Sequence, residues 1–94
     1  MLTVERLKAL RARTKLRQED LAQFFGVGVA TIIRWEKPLS TLPSGFPRQL
    51  YEIMDFLDRA GVDLSTLEWT LRMHGNVAAV RWLLNTYNEK ERGK

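Results

Sequence analysis

The sequence predicts an all-α protein, a compact body of five to six helices, on three observations. Apolar residues recur three and four apart along the chain, which places them on one side of a helix. This pattern holds throughout, so no sheet is expected. Between Gln18 and Glu36, two short helical runs flank Gly26 and Gly28, the arrangement of two crossing helices joined by a tight turn. Finally, 94 residues of which 45% are apolar suffice for one modest core and argue against disorder.

The elements follow in order. Helix 1 is expected from Val4 to about Arg13, capped by the Thr3 hydroxyl, with Val4, Leu7 and Leu10 inward. Arg6, Lys8, Arg11, Arg13 and Lys15 crowd its other faces and its end. Cations there favour the helix dipole, so Arg13 has a structural reading beside a phosphate one. Leu16 links into the second helix, Gln18–Phe25, where Leu21, Ala22, Phe24 and Phe25 are apolar. Gly26 can take a left-handed backbone and end that helix. The third helix, Val29–Trp35, turns Ile32 and Trp35 to one side. Ala22 must be small where the helices cross, and Ile32 fills the angle between them.

Pro38, Pro43, Ser44, Gly45 and Pro47 make the next stretch a loop, with Pro47 suited to the first position of helix 4. That helix should reach about Ala60, with Leu50, Ile53, Met54 and Leu57 inward, and end at Gly61. Glu52, Asp55 and Asp58 form an acidic stripe on it, read as a solvated face. Ser65 to Glu68 reads as a capping box for a short helix 5 through about Met73, closed by His74 and Gly75. Asn76 should cap helix 6, about Val77 to Asn88, with Val80, Leu83, Leu84 and Tyr87 as its stripe. The organisation expected is one domain over 1–94: a core over 3–61, a helical extension over 62–88, and a polar, fraying tail over 89–94.

Charge is unevenly placed. Residues 1–37 hold eight Lys/Arg against four Asp/Glu, whereas residues 38–94 hold seven of each, so the whole surplus of +4 lies in the first part. This is the footprint of a nucleic-acid surface beside a neutral packing region, or of a solvated basic face; charge alone does not choose. With no cysteine and one histidine, neither a disulfide, a thiolate site nor a protein-built zinc site is expected, and no cofactor. His74 has no carboxylate or serine at a catalytic spacing, so no enzyme is expected. Glu5, Arg6 and Lys8 interrupt any early leader-like run, and no apolar run has membrane-spanning length. A cytoplasmic protein without a membrane partner is the expectation.

The run LRQEDLAQFFGVGVATIIRWEK resembles the lambdoid repressor and Cro family of helix-turn-helix proteins, over about residues 4 to 37. Its GVGVATIIRWEK part is also similar to the DNA-binding half of MqsA-type antitoxins. Their zinc domain has no counterpart in a chain without cysteine. The resemblance implies a lambda-repressor-like fold and a transcriptional regulator, a repressor, reading double-stranded DNA with the helix Val29–Lys37. An antitoxin that binds a toxin and regulates its own operon is the alternative.

In such folds the second helix of the pair lies in the major groove. Base contacts are then expected from Arg34, Ala30, Val29 and Ile33. The Arg34 fork can donate two hydrogen bonds to guanine, and the resemblance places a base-contacting arginine there. Val29 and Ala30 stand where polar readers are common and can pack only on thymine methyls. Ile33 either meets a methyl group or is buried against helix 4. Backbone contacts are expected from Gln18, Arg17, Thr31, Lys37 and Gly28. The Thr31 hydroxyl has the alternative of bonding a carbonyl of its own helix. The resemblance further implies a salt bridge between Arg11 and Glu36 that clamps the reading helix, and an inward Trp35. Trp69, Trp82 and Tyr87 are costly to expose; they either complete the core or form a homodimer interface on a palindromic site, and the second is the expectation.

Overall fold

Thr3 opens the first helix: its hydroxyl accepts a hydrogen bond from the Arg6 N–H at 3.1 Å, and α1 runs Val4–Thr14. In the computed structural model, which describes residues 1–93, four more helices follow: α2 Gln18–Phe25, α3 Val29–Trp35, α4 Gly45–Arg59 and α5 Thr66–Arg92. No strand occurs among the described residues. No helix is long and apolar enough to cross a membrane.

Each early helix ends for a local reason. At the end of α1 the Thr14 hydroxyl donates to the Arg11 carbonyl at 2.7 Å and accepts from the Leu16 N–H at 3.2 Å, so a buried side chain satisfies groups the helix leaves open. Gly26 ends α2 at φ 71°, with Val27 N–H bonding the Ala22 carbonyl at 3.0 Å. Gly61 does the same after α4, where Val62 N–H bonds the Leu57 carbonyl at 2.9 Å.

All five helices contribute to one core. Leu7 and Leu10 of α1, Leu21 of α2, Ile32 of α3, Leu50, Tyr51, Met54 and Leu57 of α4, and Leu67 and Leu83 of α5 are fully enclosed. Each enclosed aliphatic side chain contributes about 1.5–3 kcal/mol. α2 packs on α3 and on α5, α4 on α5, and α1 against α4 and α5. The short α3 is therefore held by α2 beneath it and lies at the edge of the body.

Several expectations need correction. Asp55 and Asp58 are not a solvated stripe. The Arg6 guanidinium donates to both, and Arg13 donates to Asp58 at 2.9 Å, so α1 and α4 are clamped by ion pairs. Burial works to raise the Asp55 carboxyl, but hydrogen bonds from Arg6 and Arg59 outweigh it and hold the group below the usual carboxylate range. α4 starts two residues before Pro47, at Gly45. Ser65 makes no capping box, because Asp63 takes both its N–H and its hydroxyl, at 3.0 and 2.7 Å. The expected division between helices 5 and 6 at Gly75 is present, as a break in α5 with φ 88° and ψ −176°, a backbone that essentially only glycine adopts, but the two parts follow one another directly. Asn76 Oδ1 accepts no hydrogen bond and so caps nothing. Helix continues through Arg92 where fraying was expected; Lys94, the last residue of that tail, lies outside the described residues.

Candidate nucleic-acid interface

The site is built on the two faces of α3. The inner face is fixed by packing. Ile32 is fully buried, and Trp35 stands edge-on to Phe25 and Tyr51, with ring centroids 6.1 and 6.3 Å away. Glu36, just past the helix, is the anchor. Its carboxylate accepts from Arg11 Nε at 2.7 Å, from Arg11 Nη2 at 2.9 Å and from Gln18 Nε2 at 3.1 Å. Its side chain is only 4% exposed, which favours a bidentate pair over a screened surface contact. The hydrogen bond from Arg11 to Glu36 raises the guanidinium pKa further, against the effect of burial. One carboxylate thus joins α1, α2 and the end of α3.

The outer face is left open. Val29, Ala30, Ile33 and Arg34 are exposed on it, and Gly28 and Lys37 are exposed at its two ends. Ile33 is not buried against α4: 39% of it is accessible, as is 39% of Val29. Val29 and Ile33 form one row four residues apart, and Ala30 and Arg34 the adjoining row. The Thr31 hydroxyl is half-buried and bonds no carbonyl of its own helix.

Among the described residues, the arginines of the first part divide sharply. Arg6, Arg11, Arg13 and Arg17 each meet a carboxylate. Arg34 meets none, and neither does Lys37. Arg17 is engaged with Asp20, whose carboxylate accepts from the Arg17 backbone and side chain at 3.1 and 3.2 Å. Gln18 is half-buried, its amide turned to Glu36.

The three C-terminal aromatics lie apart from this face. Trp69 is 57% exposed and has the His74 ring edge-on at 5.1 Å. Trp82 is packed against the core, and Tyr87 stands edge-on to Phe56 at 5.3 Å. Met73, one turn beyond Trp69, and Val77, past the break at Gly75, are also exposed on α5. Sequence reasoning passed over these two. It also passed over Tyr51, which is fully buried although its hydroxyl has no hydrogen-bond partner. Its burial beside the Glu36 carboxylate pushes the phenol well above its ordinary value. The i, i+4 spacing of Trp69 and Met73, before the break at Gly75, was a readable signal; nothing local distinguished Tyr51.

No family model, no curated protein and no solved structure matches the chain.

Proposed function

We propose that this chain is a sequence-specific DNA-binding regulator of transcription, a repressor, in which α2 and α3 act as a helix-turn-helix and the outer face of α3 enters the major groove. The observation that carries the reading is the isolation of Arg34. It stands exposed, without a carboxylate, beside open side chains, while the other four arginines of residues 1–37 are neutralised within the protein. A free guanidinium on a rigid helix can donate two parallel hydrogen bonds to O6 and N7 of guanine. Lys37, which also meets no carboxylate among the described residues, supports the same partner. The likeness of the segment Leu16–Lys37 to lambdoid repressors adds to it.

A helix of seven residues is about 10 Å long and spans about three base pairs, too few to define a site. The protein therefore acts as two copies on a palindrome. The exposed Trp69 and Met73, one turn apart on α5, supply apolar area for their pairing.

Selection of bound sequences from a random duplex pool tests this. The expected result is a palindrome with half-sites about 34 Å apart, each containing guanine. A pool that enriches no sequence overturns the reading. A stable complex of one copy with a different small protein through Trp69 would turn it towards the antitoxin alternative.

A further inference from the structure

The apolar row on the outer face of α3 is left partly open by the fold, with Val29 and Ile33 each 39% accessible. Ile32 already fills the core position, fully buried, while Ile33 beside it is 39% exposed. A β-branched residue in a helix position that stays partly exposed costs helix propensity and gains only part of its burial. Two such side chains, Val29 and Ile33, stand beside Arg34, the one arginine of residues 1–37 that meets no carboxylate among the described residues.

We propose that Ile33 and Val29 read the 5-methyl groups of thymine, so that each half-site carries thymines beside the guanine taken by Arg34. This rests on the DNA-binding reading above and deepens it. In the major groove, apolar contact with the C5-methyl is the one direct contact open to a side chain without a donor or acceptor. The two residues stand about 6 Å apart along the helix axis, close to two base-pair steps of about 3.4 Å. Their branched side chains hold one rotamer in a helix, so little freedom is lost when a methyl packs on them. A protein partner fits this face less well. Two half-exposed side chains fall far short of a stable protein interface of about 800 Å² per partner, and the unpaired Arg34 and Lys37 beside them favour a polyanion.

What Ile33 recognises is then a methyl group rather than a base. A 5-methylcytosine presents its methyl at the same place and should satisfy the contact better than unmodified cytosine does.

The test uses the full chain and the duplex selected from a random pool. Thymines of the half-site are replaced one at a time by deoxyuridine, which deletes the methyl and leaves every hydrogen-bonding group in place. The expected result is about a fourfold loss of affinity for each contacted methyl, the effect of leaving one apolar carbon unburied. Ile33→Ala should bind the thymine and deoxyuridine duplexes equally at the position it reads. Equal binding of both duplexes by the unaltered protein, while Arg34→Ala still loses its preference, overturns methyl reading and leaves DNA binding standing. A pool that enriches nothing overturns both.

Discussion

The α1–α4 seam and the outer face of α3 use the same residue types in opposite ways. Along the seam, Arg6 and Arg13 end on Asp55 and Asp58, and the apolar side chains are enclosed. On the outer face, Arg34 ends on nothing and Ile33 stands open. The difference teaches how to sort cations in a small basic protein. Arg6, Arg11 and Arg13 meet carboxylates of other elements and hold helices together, whereas Arg34 meets none among the described residues and is left for the partner proposed above. Composition does not make this distinction; pairing does.

The sharpest way to break the comparison is at two neighbouring isoleucines. Ile32→Ala should destabilise the fold by about 2–5 kcal/mol, because it empties a fully buried site. Ile33→Ala should change stability by no more than about 0.5 kcal/mol. Urea denaturation measures both, and similar losses would mean the outer face is not free. Next come two arginines. Arg11→Ala leaves the buried Glu36 carboxylate with Gln18 alone, and should cost about 3 kcal/mol. Arg34→Ala should leave stability within about 0.5 kcal/mol. Affinity for the selected duplex should instead fall about tenfold to hundredfold, with little change on random DNA. Equal losses on both DNAs would make Arg34 a backbone contact.

Smaller effects sharpen the picture of the body itself. Gly75→Ala forces a side chain into a backbone near φ 88° and should cost about 1–3 kcal/mol by calorimetry, although a Cβ there would meet no neighbour within 4 Å. An unchanged midpoint would mean that α5 straightens at no cost. The Asp55 carboxyl is held below its usual range, so its contribution is complete above the unfolded value of about 3.9 and is lost as the pH falls through the folded value. Acid denaturation should therefore set in below about pH 4, and Asp55→Asn should be less stable at neutral pH and lose less on further acidification. Parallel stability curves for the two proteins would remove Asp55 from the acid response. Smallest of all, Tyr51→Phe removes a buried hydroxyl without a partner and should be neutral or stabilising by up to about 1 kcal/mol. A clear loss would show that the hydroxyl is hydrogen-bonded in solution.

Features set within a few residues were legible in the sequence. The bounds of α2 and α3, Gln18–Phe25 and Val29–Trp35, follow from Gly26, the apolar spacing and the turn between them. The Thr3 cap and the break at Gly75 were likewise local. Features that depend on the register between helices were not. Arg6 meets Asp55 and Asp58 across separations of 49 and 52 residues, and no periodicity within α4 shows which of its carboxylates will face α1. Tyr51 was missed because its burial depends on Phe25, whose ring lies 4.8 Å away, and on Trp35. Ser65 failed as a cap because Asp63 competes for the same groups from two residues away. Residues 89–92 are Glu, Lys, Glu and Arg, all good helix formers, so polarity was the wrong guide to where α5 stops. On α3 the outward set of side chains could be counted from the sequence, but the freedom of Arg34 could not, since it depends on every carboxylate being engaged elsewhere or out of reach.

The brevity of α3 carries one last consequence. Seven residues lie well under the dozen or so that an isolated helix needs to persist in water. Its shape is therefore borrowed from its surroundings, and a peptide cut from Val29 to Lys37 would be a coil. Transplanting its outward side chains to another scaffold would succeed only if the recipient also supplied an equivalent of the arginine, glutamine and buried carboxylate that fix its far end.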